Sequence, residues 1–305
     1  MGNSRMNSQD WASYNSTHTA GKSRAQVFGS TSMKDAYNPA LISVRESRDS
    51  AANPSSSPIL LGCDVTGSMG MIAEQLMRTD LIKIAEGIYD RKPMPDPHIA
   101  VLAIGDAFSD RAPLQATQFE ASITLADQMR ELWLEGNGGG NGGESYSLAH
   151  LFAATKTVSD SVEKRGNKGV LITIGDEPIH DRIEGDDLAR IMGAQFSKTM
   201  TKRQCVNLAS QTYEVFHIVL ANEGYASHGL QHVLRTWNEI MPQRVIQLTD
   251  VTKLSETIVS VLQVINGERK EDVAASWGSG SSMVVYEAIK DLQVAKRNKG
   301  VSRLA

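Results

Sequence analysis

Short apolar runs alternate along the chain with segments in which apolar side chains recur at helical spacing. The first run, Ile59-Leu60-Leu61, leads into Gly62-Cys63-Asp64. Runs without a polar face are typical of parallel strands that are buried on both sides of a sheet. Four further runs predict strands at 98–105, 168–175, 213–221 and 244–249. Helical periodicity predicts helices at 69–90, 123–134, 145–163, 186–200, 229–241 and 252–265.

The alternation of strands and helices indicates the fold class. It predicts a Rossmann-like, doubly wound α/β fold with a mostly parallel sheet and helices on both faces. Residues 114–121 alternate between apolar and polar side chains, and they follow a turn at 109–113. We therefore expect 114–121 to return along the sheet as one antiparallel edge strand.

The regular pattern divides the chain into three parts. Residues 1–57 are rich in Ser, Asn, Thr and Arg, which predicts a polar tail and linker with one docked piece around Val27-Phe28. Residues 58–266 form the predicted domain. Residues 267–305 are expected to be a C-terminal linker with a short helix at 283–297, which either docks on the domain or binds a partner.

Composition narrows the function classes. Of the 305 residues, 41% are hydrophobic and 22% are charged, and the net charge is −4, which does not suggest a nucleic-acid surface. No stretch approaches the roughly 20 apolar residues that span a bilayer. The N-terminus lacks the apolar core of a secretory signal, and Cys63 and Cys205 are expected to be unpaired thiols. These features predict a cytoplasmic protein that binds neither nucleic acid nor membrane.

Three polar loops are expected at one edge of the sheet. Counting strand directions along the chain places 64–68, 136–145 and 175–177 at the end where the parallel strands finish. The middle loop is glycine-rich, and the other two directly follow strands. Because ligands bind at this edge in open α/β sheets, the three loops together predict a binding site.

The side chains in these loops offer oxygen atoms as ligands. Oxygen ligands suit a hard cation, with Mg²⁺ expected first and Mn²⁺ or Ca²⁺ as substitutes. The candidate metal ligands are Asp64, Thr66, Ser68, Asp176 and either Glu144 or Ser145. In an alternative without metal, Ser68 caps the next helix and Asp64 accepts backbone N–H groups. Residues expected at the rim of the site or behind its ligands, or else in ordinary turns, are Asp106, Asn222 and Glu223.

The motif Asp64-x-Thr66-x-Ser68, followed by Met-Gly, resembles the metal-ion-dependent adhesion site of von Willebrand factor type A domains. The resemblance spans roughly residues 58–266, and it includes a glycine-rich second loop and a late-strand aspartate, Asp176. It implies that Asp64, Thr66, Ser68 and Asp176 bind the metal.

The second loop departs from the family pattern. The threonine usual there is absent, and residues 142–145 read Gly-Gly-Glu-Ser. The resemblance implies Glu144 as the ligand from this loop, with Ser145 as its substitute. If Asp64, Glu144 and Asp176 all faced a divalent ion, three negative charges would outweigh two positive charges. Either Glu144 points away, or the site prefers a hydroxyl, carbonyl or cationic partner.

The resemblance implies a protein-binding role and not catalysis. In such sites the cation keeps an open coordination position, which a carboxylate of a partner protein typically fills. Bacterial and phage proteins with this domain often act as adaptors beside an AAA+ ATPase or within larger assemblies. A metal-dependent adaptor or scaffold is therefore the expected function.

Two alternative functions stay open. The stretch from Asp64 to Ser68 also resembles the phospho-aspartate motif of haloacid-dehalogenase-type phosphohydrolases, in which Asp64 is the nucleophile and Asp176 and Asp181 hold Mg²⁺. Against this, Thr66 replaces the general acid of the soluble phosphatases, and the following helix leaves no space for a cap. The second alternative is a structural or virion component whose terminal segments make the contacts.

Overall fold

The computed structural model describes residues 8–136 and 142–294 of the chain. The strands are β1 Arg45–Ser47, β2 Ser57–Asp64, β3 Pro97–Ile104, β4 Leu114–Ala116, β5 Thr157–Ser159, β6 Gly169–Gly175, β7 Arg182–Ile183, β8 Met200–Thr201, β9 Tyr213–Leu220 and β10 Val245–Leu248. The α-helices are α1 Ser8–His18, α2 Arg24–Val27, α3 Gly70–Gln75, α4 Leu81–Arg91, α5 Thr124–Glu131, α6 Ser147–Thr155, α7 Asp160–Arg165, α8 Gly185–Met192, α9 Lys202–Thr212, α10 Ala226–Asn238, α11 Leu254–Ile265, α12 Lys270–Ala275 and α13 Ser282–Ile289. A π-helical turn, Leu76–Asp80, joins α3 to α4, and 3₁₀ turns lie at Asp35–Tyr37 and Val251–Lys253. Within the two described ranges, none of the helices has the length and apolarity needed to cross a membrane.

Six strands form the central sheet, in the order β10-β9-β6-β2-β3-β4. Neighbouring strands run parallel, except that β4 pairs antiparallel with β3 at one edge. This arrangement confirms the predicted Rossmann-like, doubly wound fold with one antiparallel edge strand. The edge strand is shorter than the predicted 114–121, because regular pairing covers only β4 and Glu120 then forms an isolated bridge with Ile99.

The central strand β2 is buried along its whole length. Because successive side chains of a strand point to opposite faces, Ile59 and Leu61 join one apolar core and Leu60 joins the other. Helices α1, α4, α5, α11 and α13 cover the first face, and α6, α8, α9 and α10 cover the second. Burial of each such side chain stabilises the folded state by about 1.5–3 kcal/mol. The apolar run that predicts β2 therefore also favours a central position for this strand in the sheet.

The strand order reverses beside β2. The chain leaves β2 through α3 and α4 to reach β3 on one side, and it later returns to the other side of β2 as β6. Where connections diverge in this way, a crevice opens at the carboxyl ends of the strands. Asp64 is the last residue of β2 and Asp176 directly follows β6, so the parallel pairing of these strands confirms that both aspartates lie at one edge.

Residues 8–57 pack against the domain and do not form the polar tail that their composition predicts. Trp11 is fully buried in the core on the α1 side of the sheet. Val27 and Phe28 are buried in the same core, so the expected contact around these residues is present. A few large apolar side chains dock this segment although its average composition is polar. Residues 1–7 of the expected tail lie outside the described residues.

The C-terminal segment also docks on the domain. Trp277 lies in the stretch expected to be a linker, yet its indole N–H donates to Ser260 Oγ at 2.7 Å. The Arg91 guanidinium lies 3.3 Å from the centre of the Trp277 ring. Val285 anchors α13 in the same core, which is the docked alternative for this helix. The helix ends at Ile289, earlier than the predicted 283–297, and the predicted residues after 294 lie outside the described residues.

Two further predicted helices, at 145–163 and 186–200, are shorter than their apolar periodicity suggests. The segment 145–163 is divided into α6 and α7 by β5, and the Ser159 side chain accepts the Val162 N–H to begin α7. The segment 186–200 is helical only to Met192, because Gly193 has a φ of 109° that does not continue a helix.

Candidate functional site

The carboxylate of Asp64 accepts three hydrogen bonds at the end of β2. Its Oδ1 atom accepts the Thr66 backbone N–H at 2.9 Å and the Thr66 hydroxyl at 2.6 Å. Its Oδ2 atom accepts the Tyr146 hydroxyl at 2.7 Å. All three residues are buried, so the carboxylate is held in one orientation. An aspartate that bonds the backbone two residues ahead forms a tight turn, which directs the chain from β2 toward α3.

A chain of oxygen atoms links Asp64 to Asp176 on the neighbouring strand. Thr66 Oγ1 lies 3.1 Å from Ser68 Oγ, and Ser68 Oγ donates to Asp176 Oδ1 at 3.3 Å. The other Asp176 oxygen, Oδ2, accepts the Tyr225 backbone N–H at 2.6 Å. Asp176 is buried, whereas Ser68 is partly exposed, so solvent reaches the group on the Ser68 side. The structure therefore brings together four of the predicted residues.

A second Asp-Val-Thr sequence shows what the local turn alone provides. Asp250, after β10, accepts the Thr252 N–H at 3.0 Å and the Thr252 hydroxyl at 2.6 Å, as in the turn at Asp64. There the aspartate caps a 3₁₀ turn, and Leu254 occupies the position of the second hydroxyl. Asp64 thus accepts a backbone N–H, as the alternative without metal expects. Ser68 does not cap α3, which begins after Met69 without a side-chain cap, and its hydroxyl donates to Asp176 instead.

Two glycines allow close approach to the aspartates. A Cβ atom at Gly175 would overlap the Tyr146 hydroxyl that bonds Asp64. A Cβ atom at Gly224 would overlap Asp176 Oδ2, and Gly224 has a φ of 37°, which L side chains rarely adopt. The absence of side chains at these two positions lets the loops close directly around the two carboxylates.

Glu144 is fully buried, and neither carboxylate oxygen has a hydrogen-bond partner among the residues that the structure describes. Two backbone hydrogen bonds hold Glu144 in this position. The Glu144 N–H donates to the Pro178 carbonyl at 2.9 Å, and the Glu144 carbonyl accepts the His180 N–H at 3.2 Å. This bridge holds the end of the glycine-rich loop against the segment after β6. Residues 137–141 of that loop lie outside the described residues.

Ser145 bonds to a different aspartate. Its hydroxyl donates to Asp106 Oδ1 at 2.9 Å and accepts the Ala107 backbone N–H at 2.9 Å. The His180 imidazole also lies 3.1 Å from Asp106 Oδ1. Ser145 is therefore committed to Asp106 and is not part of the oxygen chain. Asp106 is completely buried, which places it behind the edge and not on its rim.

Asn222 and Glu223 lie on the loop that follows β9. Asn222 is exposed, and its side-chain amide donates to the Thr249 carbonyl at 2.7 Å. Glu223 is partly buried, and its charge is one of the causes that raise the pKa of Asp176, after the larger effect of burial. Glu223 therefore lies near Asp176, whereas the Asn222 amide contacts the segment after β10.

Burial raises the pKa of the acidic side chains at this edge. The pKa of Asp64 is raised by burial first and then by the charge of Asp176, whose own pKa burial also raises. The pKa of Glu144 is raised by burial and then by the charges of Asp64 and Asp106. Buried carboxylates that repel one another are stabilised by a positively charged ligand.

The donor atoms suit a hard divalent cation. Two carboxylates and two hydroxyls are joined by contacts between 2.6 and 3.3 Å, and every donor is oxygen. In the described parts of the chain, no group of three or more His, Cys, Asp or Glu side chains is arranged to hold a metal ion. A metal here would depend on the Thr66 and Ser68 hydroxyls, because Glu144 does not join Asp64 and Asp176 as a third carboxylate in this conformation.

Two tyrosines that the sequence did not single out complete the site. Tyr146 bonds Asp64 through its hydroxyl, whereas Tyr225 bonds Asp176 only through its backbone N–H. The one sequence signal for Tyr146 was its position directly after Glu144 and Ser145. A backbone contact such as that of Tyr225 has no signature in side-chain identity.

No protein-family model and no curated protein matches the chain. Among solved structures, the pilus adhesin SpaC from Lactobacillus rhamnosus GG, in its open conformation, is 9% identical with a TM-score of 0.44, over 72% of this chain and 30% of that one. Proximal thread matrix protein 1 from the mussel byssus is 8% identical with a TM-score of 0.44, over 68% of this chain and 47% of that one. The chain spans less than half the length of either protein, and these similarities concern the fold alone.

Proposed function

We propose that this protein is a divalent-metal-dependent adaptor or scaffold that binds a partner protein at the carboxyl ends of β2 and β6. The best support is the chain of oxygen atoms from Asp64 through Thr66 and Ser68 to Asp176. These four residues are the ones that the von Willebrand factor type A resemblance assigns to the metal. Mg²⁺ is the proposed ion, with Mn²⁺ or Ca²⁺ as substitutes, because the donors are oxygen atoms.

The protein's own groups orient the ligands before a partner arrives. The Tyr146 hydroxyl holds Asp64, and the Tyr225 backbone N–H holds Asp176. A bound cation would supply an open coordination position for an oxygen atom of the partner. That partner is proposed to be a cytoplasmic protein, such as an AAA+ ATPase or a component of a larger assembly.

A binding role fits these residues better than phosphotransfer. In the phosphohydrolase interpretation, Asp181 would share Mg²⁺ with Asp176. Asp181 is instead exposed, and its carboxylate pairs with Lys202 at 2.9 Å. Helix α3 begins at Gly70, which leaves no insertion that could form a cap over Asp64. We therefore propose that the protein is not an enzyme.

Isothermal titration calorimetry tests the metal site. Chelator-treated protein is titrated with MgCl₂ and, separately, with MnCl₂, and about one site per chain is expected. Asp64→Ala should abolish the binding heat. Asp250→Ala is the matched control, because it removes the same Asp-Thr turn where no second aspartate is linked to it. Equal binding by wild type and Asp64→Ala, or equal loss in Asp250→Ala, would contradict the proposal.

A further inference from the structure

Three large apolar side chains are exposed beside the oxygen chain. Met71 is 87% exposed in the first turn of α3, three residues after Ser68. Phe108 is exposed in the loop after β3, where its ring packs edge-on against His180 with the ring centres 4.8 Å apart. Tyr225 is 37% exposed, although its backbone is fixed to Asp176. Exposed apolar groups at the rim of a polar site are typical of protein-binding surfaces.

The loops at this edge have a large excess of negative charge. Residues 64–69, 105–113, 132–136, 142–146, 176–180 and 221–225 contain eight aspartates and glutamates and a single arginine, Arg111. Arg190 approaches from α8 and donates to the Ala107 carbonyl, but it is already paired with Asp187 at 2.9 Å. A bound divalent ion would offset only part of this excess.

The surroundings of Glu144 favour a cationic group of the partner over an anionic one. The Glu144 carboxyl group is fully buried and has no hydrogen-bond partner among the described residues, and the nearby charges of Asp64, Asp106 and Glu177 repel a further negative charge there. An incoming carboxylate would add to this repulsion, whereas a cationic group would reduce it. The aromatic rings of Phe108 and Tyr225 add faces on which a lysine or arginine can rest.

We propose that this edge binds a segment of a partner protein in which a lysine or arginine is flanked by apolar side chains. The inference rests on the proposed function, because it takes the same edge as the contact surface. The basic side chain would offset the negative charge of the loops. The apolar neighbours would pack on Met71, Phe108 and Tyr225, where methionine in particular adapts to varied shapes.

Selection of peptides tests the charge preference. Random dodecapeptides displayed on phage are selected on the immobilised full-length protein, once with MgCl₂ and once with chelator. Lysine and arginine should be enriched over aspartate and glutamate by about threefold or more, relative to the unselected library. Enrichment of acidic residues, no charge preference, or no selected peptide would each overturn the inference.

Binding of the most enriched peptide, made synthetically, then locates the surface. Replacing its lysine or arginine with glutamate should weaken binding by about tenfold or more. Met71→Ala, Phe108→Ala and Tyr225→Ala should each weaken it by about fivefold or more. The matched controls on α13, Met283→Ala and Tyr286→Ala, remove side chains that are 76% and 38% exposed, and they should leave binding unchanged. Equal losses in both sets would overturn the assignment of the surface.

The two proposals fail in different ways. If basic peptides bind at this edge but calorimetry detects no Mg²⁺ binding, the metal-dependent function is wrong and the charge preference stands. Acidic peptides whose binding requires Mg²⁺ would support the metal-dependent function and overturn the charge preference.

Discussion

The Tyr146 hydroxyl donates to Asp64 Oδ2 at 2.7 Å, and both residues are completely buried. Tyr146 directly precedes α6, whereas Asp64 ends β2, so one hydrogen bond ties the glycine-rich loop to the central strand. The other carboxylate oxygen, Asp64 Oδ1, accepts the hydrogen bonds from Thr66. The two oxygens of one carboxylate therefore have separate partners, and the orientation of the proposed metal ligand depends on a residue outside the motif.

Tyr146→Phe should weaken Mg²⁺ binding and lower stability. Removing the hydroxyl leaves a buried carboxylate oxygen without a donor, which costs about 1–3 kcal/mol. The matched control is Tyr213→Phe, because the buried Tyr213 hydroxyl lies 2.6 Å from Thr157 Oγ1, far from the site. Urea unfolding and calorimetry should show that both variants lose stability, but only Tyr146→Phe loses metal affinity. Unchanged affinity in Tyr146→Phe would show that Asp64 needs no such support.

Gly175→Ala should disrupt the site from the strand side. The added Cβ would overlap the Tyr146 hydroxyl and lie 3.0 Å from the Asp64 Cβ, so side chains must move in a packed region. We expect a loss of about 1–3 kcal/mol in the free energy of unfolding, together with weaker Mg²⁺ binding. Gly280→Ala is the control, because a Cβ there meets no atom within 4 Å. A thermal melt in which both variants match wild type would contradict this packing.

Glu144→Met should stabilise the metal-free protein. The substitution replaces a buried carboxylate, which has no hydrogen-bond partner in the described part of the chain, with an apolar side chain of similar length. Removing a buried polar group that lacks a hydrogen-bond partner should raise the free energy of unfolding by about 1–3 kcal/mol. Glu223→Met, at a partly exposed position, should change it by about 0.5 kcal/mol or less. Denaturant titration in chelator checks both, and destabilisation by Glu144→Met would indicate that the carboxylate has a structural partner.

His150 should make stability fall in acid. It is buried in α6, neither ring nitrogen has a hydrogen-bond partner within residues 8–136 and 142–294, and burial lowers its pKa from 6.5 to about 3. Between these values the unfolded chain binds a proton that the folded protein does not, so stability is full above 6.5 and is lost as the pH falls toward 3. Burial also lowers the pKa of His217, which adds to the same loss.

His150→Leu should reduce the slope of unfolding free energy against pH by up to about 1.4 kcal/mol per pH unit within that window. Urea unfolding at several pH values measures the slope. Leu41→Ala is the control at an exposed position without a titratable group, and it should keep the wild-type slope. An unchanged slope in His150→Leu would mean that His150 can bind a proton in the folded protein.

The sheet and its aspartates could be predicted because buried parallel strands are recognisable as uninterrupted apolar runs. Once strand directions are known, the residues that follow each strand are assigned to an edge without further information, as for Asp64 and Asp176. The burial of Glu144 could not be predicted in this way. It depends on a backbone bridge to the segment around Ile179, and side-chain identities do not predict that pairing.

The packing of residues 8–57 also could not be predicted from composition. Polar residues dominate the segment, whereas its docking depends on a few side chains such as Trp11 and Tyr37. Their partners lie far away in sequence, as with the Tyr37 hydroxyl, which donates to Glu131 at 2.6 Å. Local periodicity contains no information on such distant contacts. A truncation that begins at residue 58 would therefore expose apolar core.

The position of Trp237 gives the molecule an internal optical reporter. Its ring stacks on His217 with centres 3.6 Å apart, and its indole N–H donates at 3.2 Å to the carbonyl of Glu177, the residue after Asp176. Indole fluorescence responds to nearby hydrogen bonds and to stacked imidazole. A rearrangement of the loop after β6 would therefore change the emission of Trp237, so that events at the sheet edge could be followed in solution without any attached dye.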